Sequence, residues 1–73
     1  MIDLKRLGKA CQRFRQKQGI SQSTVANETG YSVENVSAFE CGKNDNSKIF
    51  LWYLYHGMDT VEIIREGCGL YDD

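Results

Sequence analysis

The chain contains no proline and a single histidine, so no residue in it obliges a helix to break and the imidazoles of a usual zinc set are missing. Its three cysteines, Cys11, Cys41 and Cys68, are odd in number and widely spaced. They lack the close pairing of a metal knuckle and read as reduced thiols of a cytosolic protein. Long apolar runs are also missing. The longest, Ile49 to Tyr55, falls far short of the roughly 20 residues that cross a bilayer, and no apolar signal core follows the basic residues near the N-terminus. Strand-type alternation is nearly absent. A metal-held module and a membrane-spanning protein are thereby excluded, and a soluble cytoplasmic protein is expected.

What remains is a chain of 73 residues, enough for one small domain that buries about 60% of its unfolded surface. The expected organisation is a single domain over residues 1–66 and a C-terminal tail over 67–73. Leu4, Leu7, Cys11 and Phe14 recur at three- and four-residue steps opposite Lys5, Lys9, Gln12, Arg13 and Gln16, an amphipathic first helix that ends at Gly19. Ser21 offers an N-cap to a second helix, Gln22 to Thr29, stopped by Gly30. Ser32 can cap a third, Val33 to Cys41, closed by Gly42. After the polar loop Lys43 to Ser47, with Ser47 as cap, a fourth helix runs to Gly57, and Asp59 with Glu62 has capping-box spacing for a short fifth through about Glu66. The fold class is a compact all-α domain of five helices. Its expected core is Leu4, Leu7, Phe14, Ile20, Val25, Ala26, Val33, Val36, Phe39, Phe50 and Ile64, with part of the aromatic cluster of the fourth helix.

The net charge of −1 conceals a polar molecule. Residues 1–27 carry a balance of +5, residues 28–55 of −2 and residues 56–73 of −4. Charged helix faces are by default solvated, yet a basic first helix in an otherwise acidic domain is a candidate surface for phosphate.

Between Gln22 and Glu40 the pattern becomes specific. Ala26 lets a following helix cross closely, Gly30 four residues on can take a left-handed turn, and Val33 and Val36 point inward. Together with Ser21-Gln22 before and Phe39-Glu40-Cys41-Gly42-Lys43 after, these residues resemble the lambda-repressor and Cro-like helix-turn-helix family, over residues 4 to 64. The resemblance implies a lambda-repressor-like fold with the helix-turn-helix at the second and third helices. It also implies a structural ion pair between Arg15, at the edge of the apolar face of the first helix, and Glu40, a solvated Glu40 being the alternative.

A reading helix presents its first turn and one face to the major groove. By position the base readers are Ser32, Glu34, Asn35, Ser37 and Ala38, with Val33 partly spent on the core. None is the arginine or lysine that most often reads guanine; Glu34 could accept from cytosine N4 and Ala38 could touch a thymine methyl. Phosphate contacts are expected from Ser21, Gln22 and Ser23 at a helix N-terminus, from Gly42, Lys43 and Asn44, and from Arg15.

The fourth helix departs from the family, since apolar side chains point from it in almost every direction. A homodimer interface is expected over Leu51, Leu54, Tyr55, Met58, Leu70 and Tyr71, spacing two reading helices about one DNA turn, roughly 34 Å, apart. The plainer alternative makes the aromatics core and folds the tail over them.

The expected function is a small sequence-specific regulator of transcription, a Cro-like repressor of phage or mobile-element type that binds double-stranded DNA as a homodimer. A second class is an interaction module, anti-repressor or antitoxin-like, that keeps the fold and binds a protein partner. An enzyme is not expected: His56 has no acid or nucleophile close in sequence, and no phosphate-binding glycine loop or catalytic carboxylate pair is present. No metal, cofactor or small-molecule ligand is called for.

Overall fold

The computed structural model of the chain describes residues 3–64. Asp3 opens the first helix, α1 (Leu4–Lys17), by accepting from the Lys5 and Arg6 amides at 3.0 and 3.2 Å. Ser21 opens α2 (Gln22–Thr29) by accepting from the Thr24 amide at 3.2 Å. Gly30, at φ 81°, then turns the chain through the left-handed region that side chains avoid. Only Tyr31 and Ser32 separate that glycine from α3 (Val33–Glu40), which begins with a reciprocal capping box between Ser32 and Asn35. The last long helix is α4 (Ser47–Tyr55), and a single helical turn follows at Thr60–Glu62, capped by Asp59. No strand occurs among the described residues.

Four helices and a turn therefore stand where five helices are expected, and the expected end near Glu66 lies outside the described residues. The cap of α4 is also shifted. Asn46, not Ser47, accepts from the Lys48 and Ile49 amides, at 3.0 and 3.2 Å, because its carboxamide oxygen reaches the N2 and N3 amides while Ser47 is already helical.

Helix α3 is central: α1 and α2 both pack on it, and α4 closes over α1 and α2. The closest approach is at Gly8, where an added Cβ would lie 2.5 Å from the carbonyl oxygens of both Phe39 and Glu40. A glycine inside a helix costs up to about 1 kcal/mol relative to alanine; here it lets two backbones touch.

The core holds Cys11, Val25, Ala26, Val36, Phe39, Ile49, Trp52, Tyr53, Met58 and Ile63. Burial of each large apolar side chain stabilises the fold by about 1.5–3 kcal/mol. Tyr53 is at the centre, with Phe14 and Trp52 edge-on to its ring and Phe39 stacked on it at 5.9 Å. Two expected core residues are corrected: Val33 and Ile64 are 39% and 40% exposed. Val33 occupies the first position of α3, beyond the edge of the layer that covers Val36 and Phe39. In α4 the spacing of Ile49, Trp52 and Tyr53 defines the inner face, leaving Leu51 and Tyr55 outside at 58% and 87% exposure.

Candidate nucleic-acid interface

The polar centre of the molecule joins all four long helices to the turn before α2. Glu40, the last residue of α3, is almost fully buried, as is Arg15 of α1. Arg15 Nε donates to Glu40 Oε2 at 2.8 Å and Nη2 to Oε1 at 3.1 Å, a fork that matches the planar carboxylate, while Nη1 donates to the Ile20 carbonyl at 2.8 Å. Gln22 Nε2, from the first residue of α2, donates to Glu40 Oε1 at 2.9 Å. The Tyr53 hydroxyl of α4 donates to Oε2. Among the described residues no buried side-chain nitrogen or oxygen is left without a partner.

These contacts set the charge states. Burial alone would raise the Glu40 pKa, but the hydrogen bonds from Arg15, Tyr53 and Gln22, together with the Arg15 charge, outweigh it and hold the carboxyl below its usual range. Burial and the bond to Glu40 push the Tyr53 phenol far up. Burial first, and the Glu40 charge second, push the Cys11 thiol up to about 12.

The consequence at the surface is geometric. The Gln22–Glu40 bond brings the start of α2 beside the end of α3, so that Ser21, Gln22 and Ser23 lie next to the segment that leads into Gly42, Lys43 and Asn44. Ser21 and Ser23 are exposed, and the first amides of α2 have no partner within the helix. Gly42 and Lys43 spend their amides on the Phe39 and Ala38 carbonyls, at 3.1 and 2.9 Å, which closes α3. The Lys43 side chain remains exposed. Gly42, at φ 76°, also packs so tightly on α1 that a Cβ would meet Lys5 Cα at 2.6 Å. Asn44 accepts from the Asn46 amide at 3.2 Å. Arg15, expected to meet a phosphate as well as Glu40, directs three donors inward and is only 8% exposed.

Of the expected base readers, Ser32, Glu34 and Asn35 are exposed and Ser37 and Ala38 are half-buried. The capping box limits two of them. Asn35 Oδ1 accepts from the Ser32 amide and hydroxyl at 3.3 and 2.8 Å, so the outward polar group of Asn35 is its amide nitrogen, a donor. Glu34 beside it presents acceptors only.

The expected dimer residues divide. Leu51 and Tyr55 are exposed, Leu54 is half-buried against the core, and Leu70 and Tyr71 lie outside the described residues. Met58 is corrected: it is 7% exposed and part of the core, because Gly57, at φ 96°, turns the chain after α4 and returns it inward. His56 has a spatial acid partner that the linear order conceals. Its Nε2 lies 3.4 Å from Glu28 Oε1, which also accepts from Trp52 Nε1 at 2.8 Å, and its ring lies over the Trp52 ring at 4.0 Å. Neither Cys11 nor Cys41 is in a disulfide, and the described residues hold no group of metal-ligating side chains. No helix among them is long and apolar enough to cross a membrane.

Sequence reasoning missed Gln22 and Tyr53 as partners of Glu40. A tyrosine in an apolar run carries no sign that its hydroxyl will find a buried carboxylate; a glutamine at the first position of a helix reads equally well as solvated. Comparison with protein-family models, curated proteins and solved structures found no match.

Proposed function

We propose that the protein is a small DNA-binding regulator of transcription, of lambda-repressor and Cro-like type, in which α2 and α3 form a helix-turn-helix and α3 enters the major groove. The observation that carries this reading is the Gln22–Glu40 bond, which sets the start of α2 beside the end of α3, a helix whose first turn is exposed. The α2 amides and Lys43 hold the backbone and orient α3. Glu34 accepts from cytosine N4 or adenine N6, and Asn35 donates to a purine acceptor. Two copies paired through Leu51 and Tyr55 occupy the two halves of an operator and block transcription.

The test is selection of duplexes from a random library by the purified protein at low and at physiological salt. Enrichment of one sequence, relaxed at a single position by Glu34→Ala and weakened uniformly by Lys43→Ala, is the expected result. Recovery of no sequence above salt-sensitive background would overturn the reading.

A second reading has its own observation. The exposed pair Leu51 and Tyr55, one turn apart on α4, with Val61 beyond, offers an apolar surface that suits a protein. In that reading the fold is an interaction module, and its binding responds little to salt, whereas phosphate binding falls by about 0.9 in log K per decade of salt for each neutralised phosphate.

A further inference from the structure

Helix α1 carries a feature that neither the core nor the groove contacts use. Lys5, Lys9, Arg13 and Lys17 are all exposed and follow one another at four-residue steps. Each step advances about 6 Å, giving a row about 18 Å long on the side away from Cys11 and Arg15. Helix α1 contains no acidic residue, and none of these four side chains has a carboxylate partner within the described residues. A helix face that is merely solvated usually interleaves charges of both signs. This one repeats like charges at the spacing where they repel, and places Lys5 in a first turn, where the helix dipole favours an acid. The arrangement opposes the stability of α1.

We infer that this row binds the phosphate backbone of duplex DNA flanking the site that α3 reads, extending the contact from the α3–α4 loop along the outer face of α1. The inference rests on the DNA-binding reading. Continuity supports it: the row begins at Lys5, whose backbone packs against Gly42, immediately before the exposed Lys43. Chemistry selects phosphate over a protein. A protein interface is built around an apolar centre, and none of the exposed large apolar residues, Val33, Leu51, Tyr55, Val61 and Ile64, is on α1.

The test compares the wild type with the variant carrying Lys5→Gln, Lys9→Gln, Arg13→Gln and Lys17→Gln on two duplexes. One covers only the selected site, and the other extends it by about 10 bp, roughly one helical turn, on each side. The wild-type slope of log K against log salt should be steeper on the longer duplex by about 0.9 for each phosphate the row engages, and the variant should lose that increment while keeping its affinity for the short duplex. Circular dichroism checks the fold, and the double variant Lys9→Gln, Arg13→Gln, with half the substitutions, should lose part of the increment. Equal wild-type slopes on the two duplexes, or an increment that survives all four substitutions, would overturn the inference while sequence-selective binding to the short duplex left the reading by α3 standing. Absence of binding to either duplex would overturn both.

Discussion

Gln22, the first residue of α2, donates a 2.9 Å hydrogen bond to Glu40, the last residue of α3. Through the same carboxylate Arg15 and Tyr53 join α1 and α4 to this pair. One buried anion thus fixes the relation between the two helices of the proposed reading unit and ties both to the rest of the fold.

Removing that anion should be expensive. Glu40→Gln keeps the volume but leaves the Arg15 charge buried without a counter-charge, and breaking one side of a buried pair costs about 3–5 kcal/mol. Urea denaturation followed by circular dichroism should show most of that loss. Replacing both partners, Arg15→Met with Glu40→Leu, should recover a large part of it, because no charge then remains to be desolvated. Equal midpoints for wild type and Glu40→Gln would contradict the account.

The same network fixes the pH range of stability. Glu40 has a folded pKa below its unfolded value, near 4.5, so its contribution is fully present above that pH and is lost as pH falls through the folded value. Cys11 and Tyr53 are shifted up from 9.0 and 10.0, so their neutral forms favour the fold and that contribution is lost at higher pH. Denaturation midpoints should be flat from about pH 5 to about pH 9 with respect to these groups and fall on either side. In Glu40→Gln the contribution of this residue to the acid limb should be absent.

Thiol labelling separates the two described cysteines. Cys41 is exposed and should react with iodoacetamide at neutral pH, whereas Cys11, fully buried and with its pKa pushed up to about 12, should react only on unfolding. Peptide mapping by mass spectrometry after a short exposure reads this directly. Modification of Cys11 at the rate of Cys41 would mean that α1 does not stay packed on the core.

Much of this architecture was legible in the sequence, and the limits have physical causes. Gln22–Thr29 is where the Ser21 cap and Gly30 placed it, and Gly42 follows α3 as the stop. Local chemistry decides such boundaries. Met58 was misread because the turn at Gly57 returns it to the core after α4 has ended, and the inner face of α4 was left unassigned because periodicity cannot choose a face when every face is apolar. Gly8 drew no expectation from the sequence, because the carbonyl oxygens that demand it come from residues far along the chain.

That position supplies a further prediction. Alanine usually improves a helix interior by up to about 1 kcal/mol over glycine. At Gly8 the new methyl would overlap two carbonyl oxygens on the backbone of α3, and forced overpacking costs about 1–3 kcal/mol. Gly8→Ala should therefore lower the melting temperature, and a higher one would show that α1 and α3 are not in backbone contact.

Pairing of two copies through α4 is tested by Leu51→Lys. The residue is 58% exposed in the single chain, so the fold should tolerate the change, while a dimer built on Leu51 and Tyr55 should dissociate in light scattering. A wild type that is itself monomeric at the concentrations where it binds DNA would remove α4 from the account of the operator.

The central claim is that α3, held by Glu40, reads DNA. Its most direct test is titration of the isotopically labelled protein with duplex DNA at low salt, followed by amide chemical shifts. The account predicts that Gln22, Ser23, Ser32, Glu34, Ser37 and Lys43 shift together, while the amides of Leu51 and Tyr55 stay in place. Shifts confined to α4, or no shift at any of these positions, would contradict it.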